Sequence, residues 1–222
     1  MVRRIVAGFA GLMFVLVASA PLRAQKVEVS FGAGYTASEG VTVQDHVVLG
    51  LTFNKADVVS GGSFNLTAGV YVTPQAQIEF LYARQSSKLR GTGPGSDLDF
   101  ADMHVDSYHV NFVYNWGEED SKVRPFAFGG LGATYYGFGD ILLPNVTGTI
   151  NGNTQFSTNW GGGVKFYFNK NVGVKGMVRW VPTYIKSTSA GYWCDPFYGC
   201  WLVGNPDYSH QFETSGGVTI RF

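Results

Sequence analysis

The sequence predicts an all-β chain that closes into an eight-stranded antiparallel up-and-down transmembrane barrel, preceded by a cleaved signal peptide. Three observations lead to this fold class. Apolar and polar residues alternate along most of the chain, and the connections between the alternating segments are long and short in turn. The composition is also rich in aromatic residues and glycine and poor in charge.

The composition excludes several protein classes. Lys plus Arg equals Asp plus Glu at 16 each in 222 residues, so no basic field suggests nucleic acid binding. Charged residues make up 14% and aromatic residues 15%, with 30 glycines, whereas soluble domains average about 25% charged residues and about 7% glycine. The mean hydropathy of +0.03 is too polar for a helical membrane protein. The length suits one domain or one closed barrel.

The N-terminus resembles an export signal. Arg3 and Arg4 precede an apolar run over residues 5–20, and small residues follow it, which is the order of a secretory signal. Cleavage after Ala24 is predicted, so residues 1–24 form the signal peptide and residues 25–222 form the barrel domain. A retained membrane helix is the alternative, but the run is shorter than the roughly 20 apolar residues that a span requires.

Period-two alternation predicts the strands, because successive side chains of a strand point to opposite faces. Seven segments show it clearly. An eighth, residues 124–136, is strand-like, but the pattern does not settle which of its faces is apolar. The seven clear segments are residues 27–35, 65–72, 77–82, 107–116, 156–168, 172–180 and 212–222.

The connections indicate a membrane barrel. Short turns follow every second strand, and long loops follow the others, as in barrels with short periplasmic turns and long extracellular loops. A soluble β-sandwich is the alternative, but it gives no reason for this alternation. An even number of strands places both termini in the periplasm. The predicted turns are residues 73–75, 117–122 and 169–171, and the predicted loops are residues 36–63, 88–104, 138–155 and 186–208.

Aromatic residues fall at the strand ends, where interfacial girdles are expected. One set ends strands that run toward the periplasm, and the other lies toward the outer ends. The sets are Trp116, Phe168 and Phe222, and Tyr35, Phe156 and Trp180.

With its export signal, eight alternating strands and closing GGVTIRF, the chain resembles the small outer-membrane β-barrels of Gram-negative bacteria, the OmpA-transmembrane and OmpW-like group. The resemblance implies residence in the bacterial outer membrane, among its lipid and lipopolysaccharide. It also implies that the barrel-assembly machinery recognises Phe222, with Val218 and Ile220 at alternate positions before it. We expect a monomer without a cofactor, without nucleic acid and without enzymatic activity.

The polar face of the strands is predicted to point into the lumen. The interior of an eight-stranded barrel is filled by side chains or holds one small ligand, and buried charges require partners. We therefore expect an ion-paired plug, with an ion or proton path as the alternative. Strand register suggests Glu28 with Arg221, Arg179 with Glu213, and Glu79 near Lys165 and Lys175.

Candidate catalytic and metal-binding residues are few. Ser107 and His109 have the spacing of a nucleophile and a base on one strand face, but that face is predicted to be luminal. A structural histidine is the simpler interpretation. The second loop is acidic and offers carboxylates that suit Ca²⁺, but it lacks the rest of an EF-hand pattern, and a solvated acidic loop is the default interpretation. The carboxylates belong to Asp97, Asp99, Asp102 and Asp106.

The stretch YWCDPFYGCW contains both cysteines of the chain. Two cysteines are too few for a tetrahedral zinc site, and Cys194 and Cys200 are further apart than a Cys-x-x-Cys redox pair. Export favours a disulfide between them, which would order the last extracellular loop. The loop aromatics either cover the barrel mouth or present a surface to a sugar, lipid or protein. They are Tyr192, Trp193, Phe197, Tyr198 and Trp201.

The sequence is consistent with two main functions. The first is a structural or surface-interaction barrel with a filled lumen, and the second is an OmpW-like carrier or narrow channel for a small hydrophobic ligand. A lipid-modifying enzyme is a weaker third. An apolar, empty outer half of the lumen would favour the carrier.

Overall fold

The computed structural model describes residues 26–39, 41–48, 51–93, 96–141, 152–185, 194–195, 199–200 and 207–222. The predicted signal peptide lies outside these residues, as do the five aromatic residues of the cysteine loop. Among the described residues, no helix has the length and apolar character of a membrane span.

Twelve β-strands make up the described chain. In chain order they are β1 (Val27–Ser38), β2 (Val41–Val48), β3 (Leu51–Val58), β4 (Gly61–Tyr71), β5 (Ala76–Gly93), β6 (Ser96–Asn115), β7 (Val123–Ile141), β8 (Asn153–Tyr167), β9 (Val172–Ile185), β10 (Cys194–Asp195), β11 (Gly199–Cys200) and β12 (Asp207–Arg221).

Eight of these strands form a closed antiparallel barrel. Their order is β5-β4-β1-β12-β9-β8-β7-β6, and pairing of β5 with β6 closes the ring. The first and last strands pair from Glu28 opposite Arg221 to Ser38 opposite Gln211. The predicted fold class is confirmed. Closure leaves no unpaired barrel edge, which lipid would not satisfy.

The alternation sorts side chains between lumen and exterior, with the apolar residues outside. On β12, Gln211, Glu213 and Thr219 are buried, whereas Phe212 and Val218 are about half exposed, at 52% and 49%. A soluble barrel would reverse this arrangement. An apolar exterior around a polar interior is the pattern of a barrel whose outer solvent is lipid.

Exposed aromatic rings mark both ends of the lipid-facing band. At the end that carries the short turns they include Trp116, Phe168 and the C-terminal Phe222. The outer end carries Tyr35, Phe156 and Trp180, as expected. Val218 and Ile220 also face outward on β12, so the predicted assembly residues form one apolar stripe that ends at Phe222.

Two predicted loops are largely strands. In the first, β2 and β3 form a hairpin, and β3 pairs with the outer end of β5 from Lys55 opposite Thr92 to Val58 opposite Leu89. In the second, β5 and β6 remain paired as far as Gly93 opposite Ser96. The loop predictions for residues 36–63 and 88–104 are therefore wrong. Beyond the membrane the outer face of a strand contacts water and carries charges. An apolar outer face therefore does not reveal these strand segments in the sequence.

From Arg124 to Gly129, the fifth barrel strand, β7, places large side chains inside and small ones outside. Phe126 and Phe128 are buried in the lumen. The neighbouring strand makes room for them, because a Cβ at Gly161 would lie 2.6 Å from Phe128 Cζ, and a Cβ at Gly163 would lie 2.9 Å from Phe126 Cζ. The sequence pattern did not settle which face of β7 points into the lumen. The glycines of β8 decide it, because they leave space for the inward rings of β7.

Candidate functional site

The end of the lumen that carries the short turns is centred on Glu28. The Lys165 ammonium donates to Glu28 Oε1 over 2.5 Å, and the Tyr71 and Tyr167 hydroxyls donate to Oε2 over 2.9 and 2.5 Å. Both charged residues are buried, at 1% and 0% exposure. Three donors from two other strands, β4 and β8, thus satisfy this buried carboxylate.

A second ion pair lies beside this layer. Lys175 Nζ donates to Glu79 Oε2 over 2.8 Å, and Asn111 Nδ2 donates to the other carboxylate oxygen over 3.3 Å. Asn159 then donates to Asn111 Oδ1 over 3.0 Å. The pair is thereby linked across the barrel to β8.

The third ion pair lies further out. Arg179 donates from Nε and Nη2 to Glu213 Oε2 over 2.9 and 2.7 Å, and Asn65 Nδ2 donates to Oε1 over 2.7 Å. Both carboxylate oxygens are therefore occupied. Arg179 Nη1, which is also buried, has no hydrogen-bond partner among the residues that the structure describes.

Arg221 does not form the predicted ion pair. It lies opposite Glu28 in register, but its guanidinium donates to the carbonyl oxygens of Lys170 and Glu119 over 3.2 to 3.3 Å. It also stacks 4.4 Å above the Tyr167 ring. Lys165 forms the ion pair with Glu28 from across the lumen instead. The position of Arg221 directly opposite Glu28 on the neighbouring strand therefore did not determine the ion pair.

The sequence did not identify Arg124 as a luminal residue. It is fully buried, donates from Nη2 to the carbonyl oxygen of Pro74 over 2.7 Å, and lies 5.7 Å from the Tyr71 ring centroid. No described carboxylate is within ion-pairing distance. The alternation of large and small residues along β7, matched by the β8 glycines, is the signal that would have placed it inside.

An apolar cluster packs in the lumen beside the ion pairs, and its Phe126 ring lies 5.2 and 5.1 Å from the Lys165 and Lys175 ammonium groups. Its side chains come from four strands and are at most 5% exposed. Ion pairs satisfy charge without excluding water completely, and this cluster adds a dry, packed layer to the plug. The members are Leu81, Ala83, Val113, Phe126, Phe128 and Met177.

The outer half of the lumen has two sides. Gln85 and Gln211 bond to each other over 3.0 Å near the β1–β12 seam. The opposite side is mostly apolar apart from the buried Thr134 and Thr183, and its apolar residues are 1–4% exposed. These apolar residues are Leu89, Met103, Val105, Tyr136, Val181 and Ile185.

His109 is not paired with Ser107. Its Nε2 lies 2.9 Å from Ser157 Oγ, to which Thr134 also donates over 3.0 Å. Within the described part of the chain His109 Nδ1 has no hydrogen-bond partner, and the residue is only 1% exposed. A catalytic nucleophile–base pair requires a group that orients the base, and it requires access for the substrate. Among the described residues, the His109–Ser157 pair has neither.

The acidic residues of the second connection lie on β6, not in a solvated loop. Asp99 forms ion pairs with Arg90 at 2.6 Å and Lys88 at 3.5 Å, and Asp106 accepts from the Tyr82 hydroxyl over 3.1 Å. Beyond the outer aromatic girdle, the hydrogen bond from Arg90 lowers the pKa of Asp99. Within the described chain, no three His, Cys, Asp or Glu residues group as metal ligands.

The cysteine region is described only in part. Cys194 and Cys200 lie opposite each other on the short strands β10 and β11, with Asp195 opposite Gly199.

Comparisons with known proteins agree with this architecture. OprG from Pseudomonas aeruginosa is 18% identical with a TM-score of 0.61, covering 90% of this chain and 96% of that protein. A major outer membrane protein from Thermus thermophilus is 14% identical with a TM-score of 0.56, covering 90% and 100%. Neisserial surface protein A is 17% identical with a TM-score of 0.52, covering 89% and 97%. Such identities establish the fold alone.

The comparison with curated proteins gave no match. The family model described as the outer membrane protein beta-barrel domain matches residues 7–212, which is most of the sequence. The chain therefore belongs to the outer membrane protein beta-barrel domain family.

Proposed function

We propose that this protein is a non-conducting, non-enzymatic outer-membrane barrel with a structural or surface-interaction role. Its lumen is sealed on the periplasmic side, and its partners meet it at the extracellular face. Both termini lie in the periplasm, and the barrel works as a monomer in contact with outer-membrane lipid and lipopolysaccharide. The membership of the family and the apolar exterior support this placement.

The stacked plug is the observation that carries the proposal. Three ion pairs, Glu28–Lys165, Glu79–Lys175 and Glu213–Arg179, are each at most 6% exposed. The apolar cluster defined above packs beside them, with the Phe126 ring centroid 5.2 and 5.1 Å from the Lys165 and Lys175 ammonium groups. An ion crossing the lumen would have to displace packed side chains and separate buried pairs, and breaking such a pair costs about 3–5 kcal/mol.

Conductance in planar lipid bilayers tests the seal. We expect no steady single-channel current from the refolded protein. A Phe126→Ser/Phe128→Ser variant removes two rings of the plug and should show a measurable leak. Phe166→Ser, on the lipid-facing side of the same region, is the control and should stay closed. A large, stable current from the unmodified protein would refute the proposal.

A carrier of one small apolar molecule is the second candidate, and two observations favour it. The outer lumen carries buried apolar side chains on β6, β7 and β9, among them Val105, Tyr136 and Val181. The ladder between β8 and β9 is also interrupted, because pairing passes from Ser157 opposite Thr183 directly to Trp160 opposite Trp180. Pro182 lies in this gap and has no N–H to donate. A weakened seam beside an apolar chamber would give a ligand a lateral exit.

Transfer of a fluorescent fatty alcohol across liposome membranes separates the two candidates. Transfer that requires the barrel and falls when Pro182→Ala restores the donor would establish the carrier. Thr183→Val, beside it, is the control. Equal transfer with and without protein would leave the surface role as the function.

A further inference from the structure

We infer that the small cavity beside Arg179 and Thr36 is a binding site for a neutral hydrogen-bond acceptor, such as the carbonyl or hydroxyl group of an otherwise apolar molecule. The inference deepens the second candidate function, since it rests on entry of a ligand into the outer lumen. It concerns recognition and can be tested without measuring transfer.

The site is a small preformed cavity, and two of the residues that line it carry unsatisfied polar atoms. The cavity is about 10 Å³, which is room for about one water molecule. Arg179 Nη1 and Thr36 Oγ1 are buried and have no hydrogen-bond partner among the described residues. Both residues line the cavity, and a buried polar atom without a partner costs about 1–3 kcal/mol. An occupant that accepts hydrogen bonds would remove this cost.

Strand register fixes the site on three neighbouring strands. Thr36 on β1 is opposite Glu213 on β12, and Glu213 is opposite Arg179 on β9. The facing wall is formed by Gln85 and Ser107. The rigid barrel therefore holds the donors in place before any ligand arrives, which lowers the entropy cost of binding.

The charge balance at the site selects a neutral acceptor. Glu213 neutralises the Arg179 guanidinium through two hydrogen bonds, and its own oxygens are both occupied. The site therefore offers a strong N–H donor from a charge-neutral pair. A carboxylate would gain the same hydrogen bond but would lie beside the Glu213 carboxylate, so we expect it to bind less tightly.

The surroundings select an apolar body. Val105 and Val181 line the cavity, and Tyr136 and Met103 continue the apolar side outward, all at most 4% exposed. A ligand oxygen can replace a bound water without loss when it reproduces the water's hydrogen bonds. The remainder of the ligand would then lie along these side chains as they move apart.

Methyl NMR of the protein in nanodiscs, with three eight-carbon probes, tests the inference. We expect 2-octanone to shift the Thr36, Val105 and Val181 methyl signals saturably. Octane, which has no acceptor, and octanoate should bind more weakly. Ser107→Ala should leave the barrel intact and weaken 2-octanone binding about threefold to tenfold, the value of one neutral hydrogen bond. Thr36→Val should do the same.

Thr214→Val is the matched control, since it makes the same change on the lipid-facing side of β12 and should not alter binding. Equal affinities for octane and 2-octanone, or no loss in either cavity variant, would refute the acceptor site. Absence of any saturable shift would show that the cavity holds water only. Saturable binding without transfer of the fatty alcohol would retain this site and reject the carrier function.

Discussion

Arg179 and Glu213 lie directly opposite each other on β9 and β12, and two guanidinium nitrogens of Arg179 donate to one carboxylate oxygen of Glu213. The pair is buried in the lumen, and Asn65 satisfies the remaining carboxylate oxygen. A pair formed by facing residues on adjacent strands needs only correct register. Formation of the Arg179–Glu213 pair therefore requires the register that the structure shows between β9 and β12.

Replacing Arg179 with Ala should destabilise the barrel by about 3–5 kcal/mol, because Glu213 is left as a buried charge without its cation. Urea unfolding in lipid vesicles measures the change. In contrast, Arg179→Met combined with Glu213→Leu should come close to the parent, since apolar replacement of both partners removes the desolvation cost.

Lys55→Ala provides the exposed control. Its pair with Asp57 is at the surface, where such pairs contribute about 0–1 kcal/mol. An Arg179→Ala barrel as stable as the parent would show that the lumen is more hydrated than its packing indicates.

Gly161→Ala should destabilise the barrel, because the new Cβ would lie 2.4 Å from the Val178 carbonyl oxygen and 2.6 Å from Phe128 Cζ. Overpacking of this kind costs about 1–3 kcal/mol. Gly176→Ala is the matched control on the neighbouring strand, where an added Cβ meets nothing within 4 Å. The same urea unfolding assay compares them, and equal stabilities would contradict the inward packing of β7.

The sequence predicted the barrel but only part of its interior. Alternation located the strands because lipid and lumen impose opposite polarity on the two faces. It did not predict the inward aromatic face of β7, which depends on glycines of another strand. It also assigned Arg221 to Glu28 from register alone, whereas the length of the Lys165 side chain lets it reach Glu28 across the lumen. The alternation of residues within one strand does not show which side chains of distant strands contact each other across the lumen.

The Arg90–Asp99 pair predicts a pH effect near the tip of the β5–β6 hairpin. The hydrogen bond from Arg90 lowers the pKa of Asp99 in the folded state. A lowered pKa means that the stabilisation is present above the unfolded-state pKa and is lost as the pH falls through the folded-state pKa. The effect should be small, about 0.2–1 kcal/mol, because the pair is largely solvated.

NMR titration of the Asp99 carboxyl group measures this directly. Arg90→Gln should raise its midpoint toward the ordinary value, while Lys122→Gln, in a turn at the opposite end of the barrel, should leave it unchanged. A midpoint that Arg90→Gln does not move would place the cause of the low pKa elsewhere.

The mature protein should fractionate with outer membranes and migrate differently on gels before and after boiling. Its half-exposed Phe, Val and Trp side chains make the exterior apolar, and such a surface is stable only in lipid or detergent. Gel mobility of refolded protein in detergent is the measurement. Recovery as a soluble periplasmic monomer would contradict a transmembrane barrel.

Cys194 and Cys200 should form a disulfide in protein isolated from the outer membrane. They face each other on β10 and β11, and directly opposite residues of antiparallel strands have Cα atoms about 4.5–5.5 Å apart, within the range that a disulfide bridges. Export to an oxidising compartment favours the bond. Mass spectrometry of non-reduced digests should recover the linked peptides, and two free thiols would refute the pairing.

The bond should be local in its effect. The eight barrel strands pair without β10 and β11, so a Cys194→Ser/Cys200→Ser variant should still assemble and keep its heat-dependent gel mobility. Protease cleavage of the loop should become faster in that variant, because a disulfide restricts the conformations of the segment it closes. Ser187→Ala, in the same connection but outside the ring, is the control and should not change the cleavage rate. Loss of barrel assembly in the double variant would show that the loop contributes to folding of the barrel itself.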